Sequence, residues 1–486
     1  MTERIWSEQQ KQIFKWFEAG KGNLVVRARA GTGKTTTIIE AINYAPETSI
    51  LLAAFNKKIA EELKTRLKNP AGKAQTLHSV PVSFIFRNWQ GTVLNEERAE
   101  KLARRAAGPT CPDQVISLIK KLASLAKSSC PFPVVEQMLD LIYNFDLQPD
   151  EWMEDQGWYA DQVAICAMKA MDLACEKDGT IDFDDMVFVT VRNRWHLPKY
   201  DMVVIDEAQD MNASQILLAQ GVCKKTGRIV VVGDDRQAIY GFRGADSNSI
   251  DRLKSQLKSQ ELGLTTTYRC GQNIVAEAQR IVPDFHAGPA NPQGQVSTMD
   301  VEKMAQSATA GDFVLSRKNA PLAKVCMKFL RMRKPARIEG RDIGIGLLAI
   351  IRKLRAKSVP DFMEKLSKWE DRQERRLMKT GKETAKKRVE FIHDQAETLR
   401  VLAEDVLGVR ELESRIDELF TQTGADKSRF ILCSSVHKSK GLESDRVFVL
   451  KDTLYPGGDR ALEEQNIEYV AITRAKSSLV WVPGLG

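Results

Sequence analysis

The sequence predicts an α/β fold with two cores of parallel sheet, each interrupted by a block of helices, and three observations predict it. Short apolar runs at Leu24 to Val26, Ile50 to Ala54, Tyr200 to Ile205 and Arg228 to Val232 alternate with amphipathic stretches, as strands joined by helical crossovers do. Similar runs return at Asp312 to Ser316, Phe430 to Val436, Arg446 to Leu450 and Leu479 to Val482, so a second core follows the first. Inside each core lies a long stretch without strand-like runs, in which apolar residues recur at helical spacing.

Taken in order, the first core opens with a helix around Glu8 to Phe17 and a strand at Leu24 to Val26. The turn Ala28-Arg29-Ala30-Gly31-Thr32-Gly33-Lys34-Thr35 then leads into a helix from Lys34. Its general pattern begins with Gly where this chain has Ala28. A glycine-bearing turn between strand and helix aims backbone N–H groups and a helix N-terminus at phosphate oxygens, so residues Ala30 to Thr36 form a candidate nucleotide cradle. Lys34 adds positive charge at the β- and γ-phosphates, and Thr35 a hydroxyl for Mg²⁺. The strand at Ile50 to Ala54 and a helix at Ile59 to Leu67 follow.

Residues 83–180 read as a helical insertion, with Val115, Leu118, Ile119 and Leu122, then Ala164, Met168 and Met171, on helical faces. The apolar strand before Asp206-Glu207 supplies one carboxylate for the Mg²⁺ shell and a second to orient and deprotonate an attacking water. Together the two elements predict a nucleotide triphosphatase that uses Mg²⁺. The first core thus comprises 1–82 and 181–264, and the second 265–338 and 427–486. A second helical insertion spans 339–426, with Leu347, Ile350, Ile351 and Leu354 and later Leu412, Ile416 and Leu419 as its apolar positions.

Composition narrows the class. A chain of 486 residues with 43% hydrophobic content can build several cores. No run approaches the roughly 18 apolar residues that span a bilayer, and the start MTERIWSEQQ lacks a secretory apolar region, so no membrane partner is expected. The expected location is the cytoplasm, or the nucleus in a eukaryote. Eight scattered cysteines without a Cys-x-x-Cys pair, and only five histidines, argue against a zinc site or a disulfide framework. A net charge of +8 favours a polyanionic partner.

Further motifs stand in a fixed order: Trp6-Ser7-Glu8-Gln9-Gln10, the phosphate loop, Ala54-Phe55-Asn56-Lys57-Lys58, Thr76-Leu77-His78-Ser79 and Asp206-Glu207-Ala208-Gln209-Asp210. Then come Gly233-Asp234, Gln237-Ala238-Ile239-Tyr240-Gly241-Phe242-Arg243-Gly244, Thr267-Tyr268-Arg269, Val436-His437-Lys438-Ser439-Lys440-Gly441-Leu442-Glu443 and Glu468-Tyr469-Val470-Ala471-Ile472-Thr473-Arg474-Ala475. In content and order this set resembles the UvrD/Rep/PcrA type of superfamily 1 DNA helicase over nearly the whole chain outside the helical blocks. Ala54 to Lys57 and Tyr240 to Gly244 are similar to the F-box-helicase branch of that group.

The resemblance implies two RecA-like P-loop cores. It also implies that Gln10 reads the adenine edge while Tyr268 stacks on its face, a division that suits an amide and a phenol. Arg269 and Arg474 would bring transition-state charge from the second core across a cleft. Gln237 would sense the γ-phosphate, Glu443 would take a ribose hydroxyl, and Gly441 would let backbone approach the phosphates. Family members often carry Gly in place of Arg29 and Phe in place of Ser444. The first departure puts a cation beside the loop, where it could alter nucleotide affinity or reach DNA.

For single-stranded DNA, Phe55, Tyr240 and Phe242 are candidate stacking rings, with His78, Arg243 and His437 near the backbone. The implied activity is 3′ to 5′ translocation coupled to strand separation at single-strand/duplex junctions. The alternatives are a translocase that strips proteins from DNA and a non-catalytic binding subunit. Residues 352–388 hold fourteen Lys or Arg against six Asp or Glu, an excess as large as that of the entire chain. Phe362, Leu366 and Trp369, then Ile392, Ala396 and Leu399, predict a two-helix arm with an internal apolar seam and outward cations, a candidate surface for DNA or for a protein partner.

Overall fold

The structure is a computed structural model that describes residues 5–54, 57–145, 147–239, 249–378, 383–421, 427–454 and 461–485. The chain divides into two compact units, one of residues 1–29 and 33–264, the other of residues 30–32 and 265–486.

The first unit is built on six strands: β1 (Leu24–Ala28), β2 (Ile50–Ala54), β3 (Gly72–Thr76), β4 (Tyr200–Ile205), β5 (Cys223–Gly233) and β6 (Gln260–Leu264). Their order is β3-β2-β4-β5-β1-β6, and every neighbouring pair is parallel. The central strands β1, β2, β4 and β5 carry apolar runs because both faces of the sheet are covered there. Leu24, Val26, Leu52, Ala54, Val204 and Val230 belong to one buried cluster, whereas the alternate residues Val25, Leu51, Ala53, Val203, Ile205 and Val231 belong to another. Because β4, β5 and β1 are adjacent and parallel, the segments that follow them emerge along one edge, where open parallel sheets place ligands.

Helix α1 (Glu8–Ala19) is set by a capping box between Ser7 and Gln10 and ends at Gly20, whose φ of 67° suits glycine. Helix α2 (Lys34–Ala41) starts directly after Gly33.

The helical block of this unit includes α3 (Arg98–Ala107), α4 (Asp113–Ser129), α5 (Ala160–Ala174) and α6 (Phe183–Arg192). Val115, Ile119, Leu122, Ala164 and Met171 are buried in its core, with Leu118 and Met168 at the margin. The expectation that strands vanish between residues 83 and 180 needs correction, since Val93–Leu94 pairs in parallel with Thr180–Ile181. A two-residue ribbon is too short to show a period, and both Val93 and Leu94 are exposed.

The main sheet of the second unit has seven strands, β7 (Gln295–Thr298), β8 (Phe313–Ser316), β9 (Ala336–Glu339), β10 (Phe420–Thr421), β11 (Ile431–Ser435), β12 (Ser444–Leu450) and β13 (Ala475–Val482), beside a short parallel ribbon of Thr266–Thr267 with His286–Ala287. The order is β7-β13-β12-β8-β11-β9-β10, again parallel throughout. Strand β10 falls inside the stretch expected to be helical. Its buried Phe420 pairs with Ile338 and closes that edge.

Helices α7 (Asn319–Arg331), α8 (Val359–Met378) and α9 (Glu383–Ala403) revise the arm. Its apolar seam is not private: Phe362, Leu366, Ala396 and Leu399 are buried in one cluster with Val314 of β8 and Phe329 of α7. Asp394 of α9 accepts from the backbone N–H groups of Asn319 and Ala320 and thereby caps α7. Among the described residues, Leu377, Val389 and Ile392 form a separate small cluster.

Candidate nucleotide site

The phosphate loop needs glycine where it turns. Gly31 and Gly33 have φ of 68° and 76°, a region costly for residues with a Cβ, and Gly33 hands the chain to the N-terminus of α2. Lys34 reaches back to the end of β4, where its Nζ donates to both carboxylate oxygens of Glu207 at 3.0 Å. Burial alone would lower the Lys34 ammonium, but Glu207, Asp206 and Asp234 outweigh it and raise it. Thr35 Oγ1 donates to Asp206 Oδ2 at 3.3 Å. Burial first and the Glu207 charge next push the Asp206 carboxyl up to about 6. Glu207 itself sits at φ 53°, an uncommon conformation for a residue that is not glycine and one that recurs at functional sites.

A hydroxyl and a carboxylate beside a phosphate loop are hard oxygen donors of the kind Mg²⁺ takes. Among the described residues no group of three or more His, Cys, Asp or Glu is placed to hold a metal. One hydroxyl and one carboxylate fit a cation that takes its other ligands from phosphates and water, as Mg²⁺ does. Gln10 is committed on both sides of its amide: Oε1 accepts from Ser7 N–H at 2.9 Å and Nε2 donates to Thr37 Oγ1 at 2.9 Å. Thr36 accepts from Arg66 Nη2 at 2.6 Å.

Sequence reasoning missed the polar network behind Glu207. Gln209, wholly buried, donates from Nε2 to Glu207 Oε2 at 2.6 Å and accepts from Asp234 N–H through Oε1 at 3.1 Å. Gly233 permits that approach, since a Cβ there would lie 2.5 Å from Gln209 Oε1. Asp234, at the end of β5, accepts from Gln237 Nε2 at 2.8 Å and from Arg29 Nη1 at 3.2 Å. The available signal was a second carboxylate closing an apolar strand, the same pattern that marks Asp206. Arg29 does not extend outward toward DNA: it is 6% exposed and pairs with Asp234 and Asp235.

In the second unit, Arg269 Nε pairs with Glu443 Oε2 at 2.6 Å, and Lys476 holds the other Glu443 oxygen at 2.8 Å. Burial works to raise the Glu443 carboxyl, but Arg269 and Lys476 hold it below the ordinary range. Arg474 is 1% exposed; its Nε donates to the Val470 carbonyl and its Nη1 to the Leu442 carbonyl. Burial, then the Arg269 charge, lowers it to about 10. Tyr268 is half exposed. Gly441 has φ 83° and open space where a Cβ would project. Ser444 is buried and donates to the Gly311 carbonyl at 2.7 Å, which accounts for a hydroxyl where a ring is common.

Of the proposed DNA contacts, Phe55, Tyr240, Phe242 and Arg243 lie outside the described residues. His78 is half-buried just before the helix Ser79–Asn88, and burial lowers its imidazole against the opposing Asp184 charge. His437 is half-buried in the turn after β11.

A phosphate loop, a strand-end Asp-Glu pair and two all-parallel sheets define a P-loop protein with two RecA-like cores. The profile of the UvrD/REP helicase N-terminal domain matches residues 6–258, and that of the UvrD-like helicase C-terminal domain matches residues 405–482. The chain belongs to the UvrD/REP helicase family.

Its relatives include an ATP-dependent DNA helicase PcrA of Staphylococcus epidermidis, 24% identical over 315 residues that make up 60% of this chain and 42% of the relative. A probable DNA helicase II homolog of Mycoplasma pneumoniae is 26% identical over 326 residues, 60% of this chain and 44% of that protein. A PcrA of Bacillus subtilis is 26% identical over 288 residues, 54% and 37% of the two chains. Each match thus spans less than half of the relative's own length. No helix among the described residues is long and apolar enough to cross a membrane.

Proposed function

We propose that this chain is a DNA-dependent ATPase that moves 3′ to 5′ along single-stranded DNA and separates strands at duplex junctions. The family membership and the helicase names of the relatives support the class. The observation that carries the chemistry is the pairing of Lys34 with Glu207 and of Thr35 with Asp206, which joins cation, hydroxyl and two carboxylates at one loop.

When bound, Mg²⁺ and ATP supply the electrophilic γ-phosphoryl group and the metal's neutralising charge. Lys34 would leave Glu207 for the phosphate oxygens, and Thr35 and Asp206 would hold the cation. Glu207, released from Lys34 and still held by Gln209, orients the attacking water and accepts its proton. Gln237 meets the γ-phosphate, and Arg269 and Arg474 add positive charge to the transition state. Gln10 and Tyr268 take the adenine, and Glu443 shares its carboxylate with a ribose hydroxyl. Phe55, Tyr240 and Phe242 stack on bases, with His78, Arg243 and His437 along the backbone.

ATP hydrolysis measured with and without single-stranded DNA, beside unwinding of 3′- and 5′-tailed duplexes, tests the reading. Stimulation by DNA and unwinding of the 3′-tailed substrate alone are expected. Hydrolysis indifferent to DNA would overturn it.

A further inference from the structure

Arg29 enters the phosphate loop with a buried side chain, and its surroundings give it a task. It leaves the end of β1 with its N–H donating to the Leu264 carbonyl at 2.8 Å, and its guanidinium turns into the sheet edge. There it meets Asp234, which has no exposed surface, at 3.2 Å and Asp235 at 2.8 Å. The Asp234 carboxylate is a hub: Oδ1 takes Arg29 and the Arg236 N–H at 3.2 Å, while Oδ2 takes the Gln237 amide at 2.8 Å. A buried carboxylate facing an amide is stable in one orientation only if its charge is matched nearby. Asp235 is itself anchored by Arg27 at 3.1 Å, which fixes the far side of the same short turn.

We propose that Arg29 is a positioning residue for hydrolysis, holding Gln237 in register with the phosphate loop through the Asp234 carboxylate. The inference rests on the ATPase reading, because it gives Gln237 the γ-phosphate. The Arg29 side chain thereby ties two nucleotide-facing segments that the chain separates by 205 residues. Without the guanidinium, Asp234 Oδ1 keeps the Arg236 N–H but loses its charged donor, and the acceptor of the Gln237 amide is held less firmly.

The test is a double-mutant cycle on the full chain with Arg29→Met, Gln237→Ala and the pair, and with Arg29→Lys as a charge-keeping variant. Misplacing one reacting group costs on the order of 10–100-fold. Arg29→Met is therefore expected to lower kcat by about tenfold or more with KM for ATP nearly unchanged, and to cause no further loss in the Gln237→Ala background. Arg29→Lys should recover part of the rate. Independent, multiplying losses, or a loss confined to KM, would overturn the proposal.

A second readout separates this from the functional reading. The urea midpoints of Arg29→Met and Gln237→Ala should be non-additive whether or not the chain hydrolyses ATP. Additive midpoints would remove the linkage. A wild-type chain without ATPase but with coupled midpoints would overturn the ATPase reading and with it the proposed task of Arg29, while leaving the structural linkage in place.

Discussion

Replacing Gln209 with leucine tests whether Glu207 is held for its task from behind. The side chain is fully buried, and leucine nearly conserves its volume, so the change removes polarity with little change of shape. It removes the 2.6 Å bond to Glu207, worth about 1.5–3 kcal/mol as a bond to a charged acceptor, and strands the buried Asp234 N–H at a further cost of about 1–3 kcal/mol. With partial relaxation we expect the first unit to lose about 3 kcal/mol, a large share of the roughly 5–15 kcal/mol typical of folded domains.

The kinetic consequence is of similar size in free energy. Lys34 is assigned to phosphate during turnover, so Glu207 then depends on Gln209 for its aim, and a displacement near 1 Å costs on the order of 100-fold. Steady-state hydrolysis at saturating DNA should show kcat falling by about that factor while KM for ATP moves by less than about threefold. Urea denaturation followed by circular dichroism reads the stability arm. A variant that keeps its kcat, or one that loses only ATP affinity, would refute the reasoning.

The other predictions address separate parts. Lys34→Ala should abolish hydrolysis by removing phosphate charge, and Glu207→Gln should retain ATP in equilibrium binding but not turn it over. Arg269→Ala and Arg474→Ala should each lower kcat far more than ATP binding. Arg474→Ala should in addition lower the urea midpoint, because the Val470 and Leu442 carbonyls lose their buried donor. Reversing Arg372, Arg375, Arg376 and Lys379 to Glu should weaken DNA binding and flatten its dependence on salt, read by fluorescence anisotropy at several salt concentrations, while ATPase at saturating DNA persists. An unaltered salt slope would instead make the arm a solvated surface feature or a docking site for a protein partner.

The pH prediction concerns His78. Its folded imidazole is pushed below the ordinary 6.5, so the folded state binds fewer protons than the unfolded chain, and this contribution to stability declines as pH falls below 6.5. Comparing urea midpoints of wild type and His78→Gln at pH 7.5 and 5.5 should show the wild type losing more. Equal losses would contradict the burial argument.

What could be read in advance followed from how locally each feature is written. Strands β1, β2 and β4 are apolar at nearly every position because both their faces are covered, so they stand out as runs. Gly72–Thr76 is just as much a strand, but it lies at the sheet edge with only Ala74 buried and presents no run. Gln295–Thr298, at the edge of the other sheet, is hidden for the same reason.

The arm shows a different limit. Helical spacing identified Phe362, Leu366, Ala396 and Leu399 as inward-facing, but spacing within a helix does not say what the face meets, and it meets β8 and α7 as well as its partner helix. At the site, Lys34, Thr35, Asp206 and Glu207 were legible because loop and strand end carry their own chemistry. The links through Gln209, Asp234 and Arg29 were not, because hydrogen bonds between distant segments leave no trace in local spacing.

The strand order of the first sheet also bears on how the protein is made. Strand β4 enters between β2 and β5, and its register, Leu52 against Val204, joins residues about 150 positions apart, the kind of non-local pairing that slows folding. On a ribosome adding about 5–20 residues each second, β2 therefore waits on the order of ten seconds or more for its neighbour. During that interval Ile50 to Ala54 presents an apolar edge that no local partner other than β3 covers. The helical block is synthesised within the same interval and has an apolar cluster of its own to bury, so it can condense before the sheet closes. Variants that weaken this block are thus expected to be caught by chaperones or to aggregate during synthesis, well before any defect in hydrolysis could be measured.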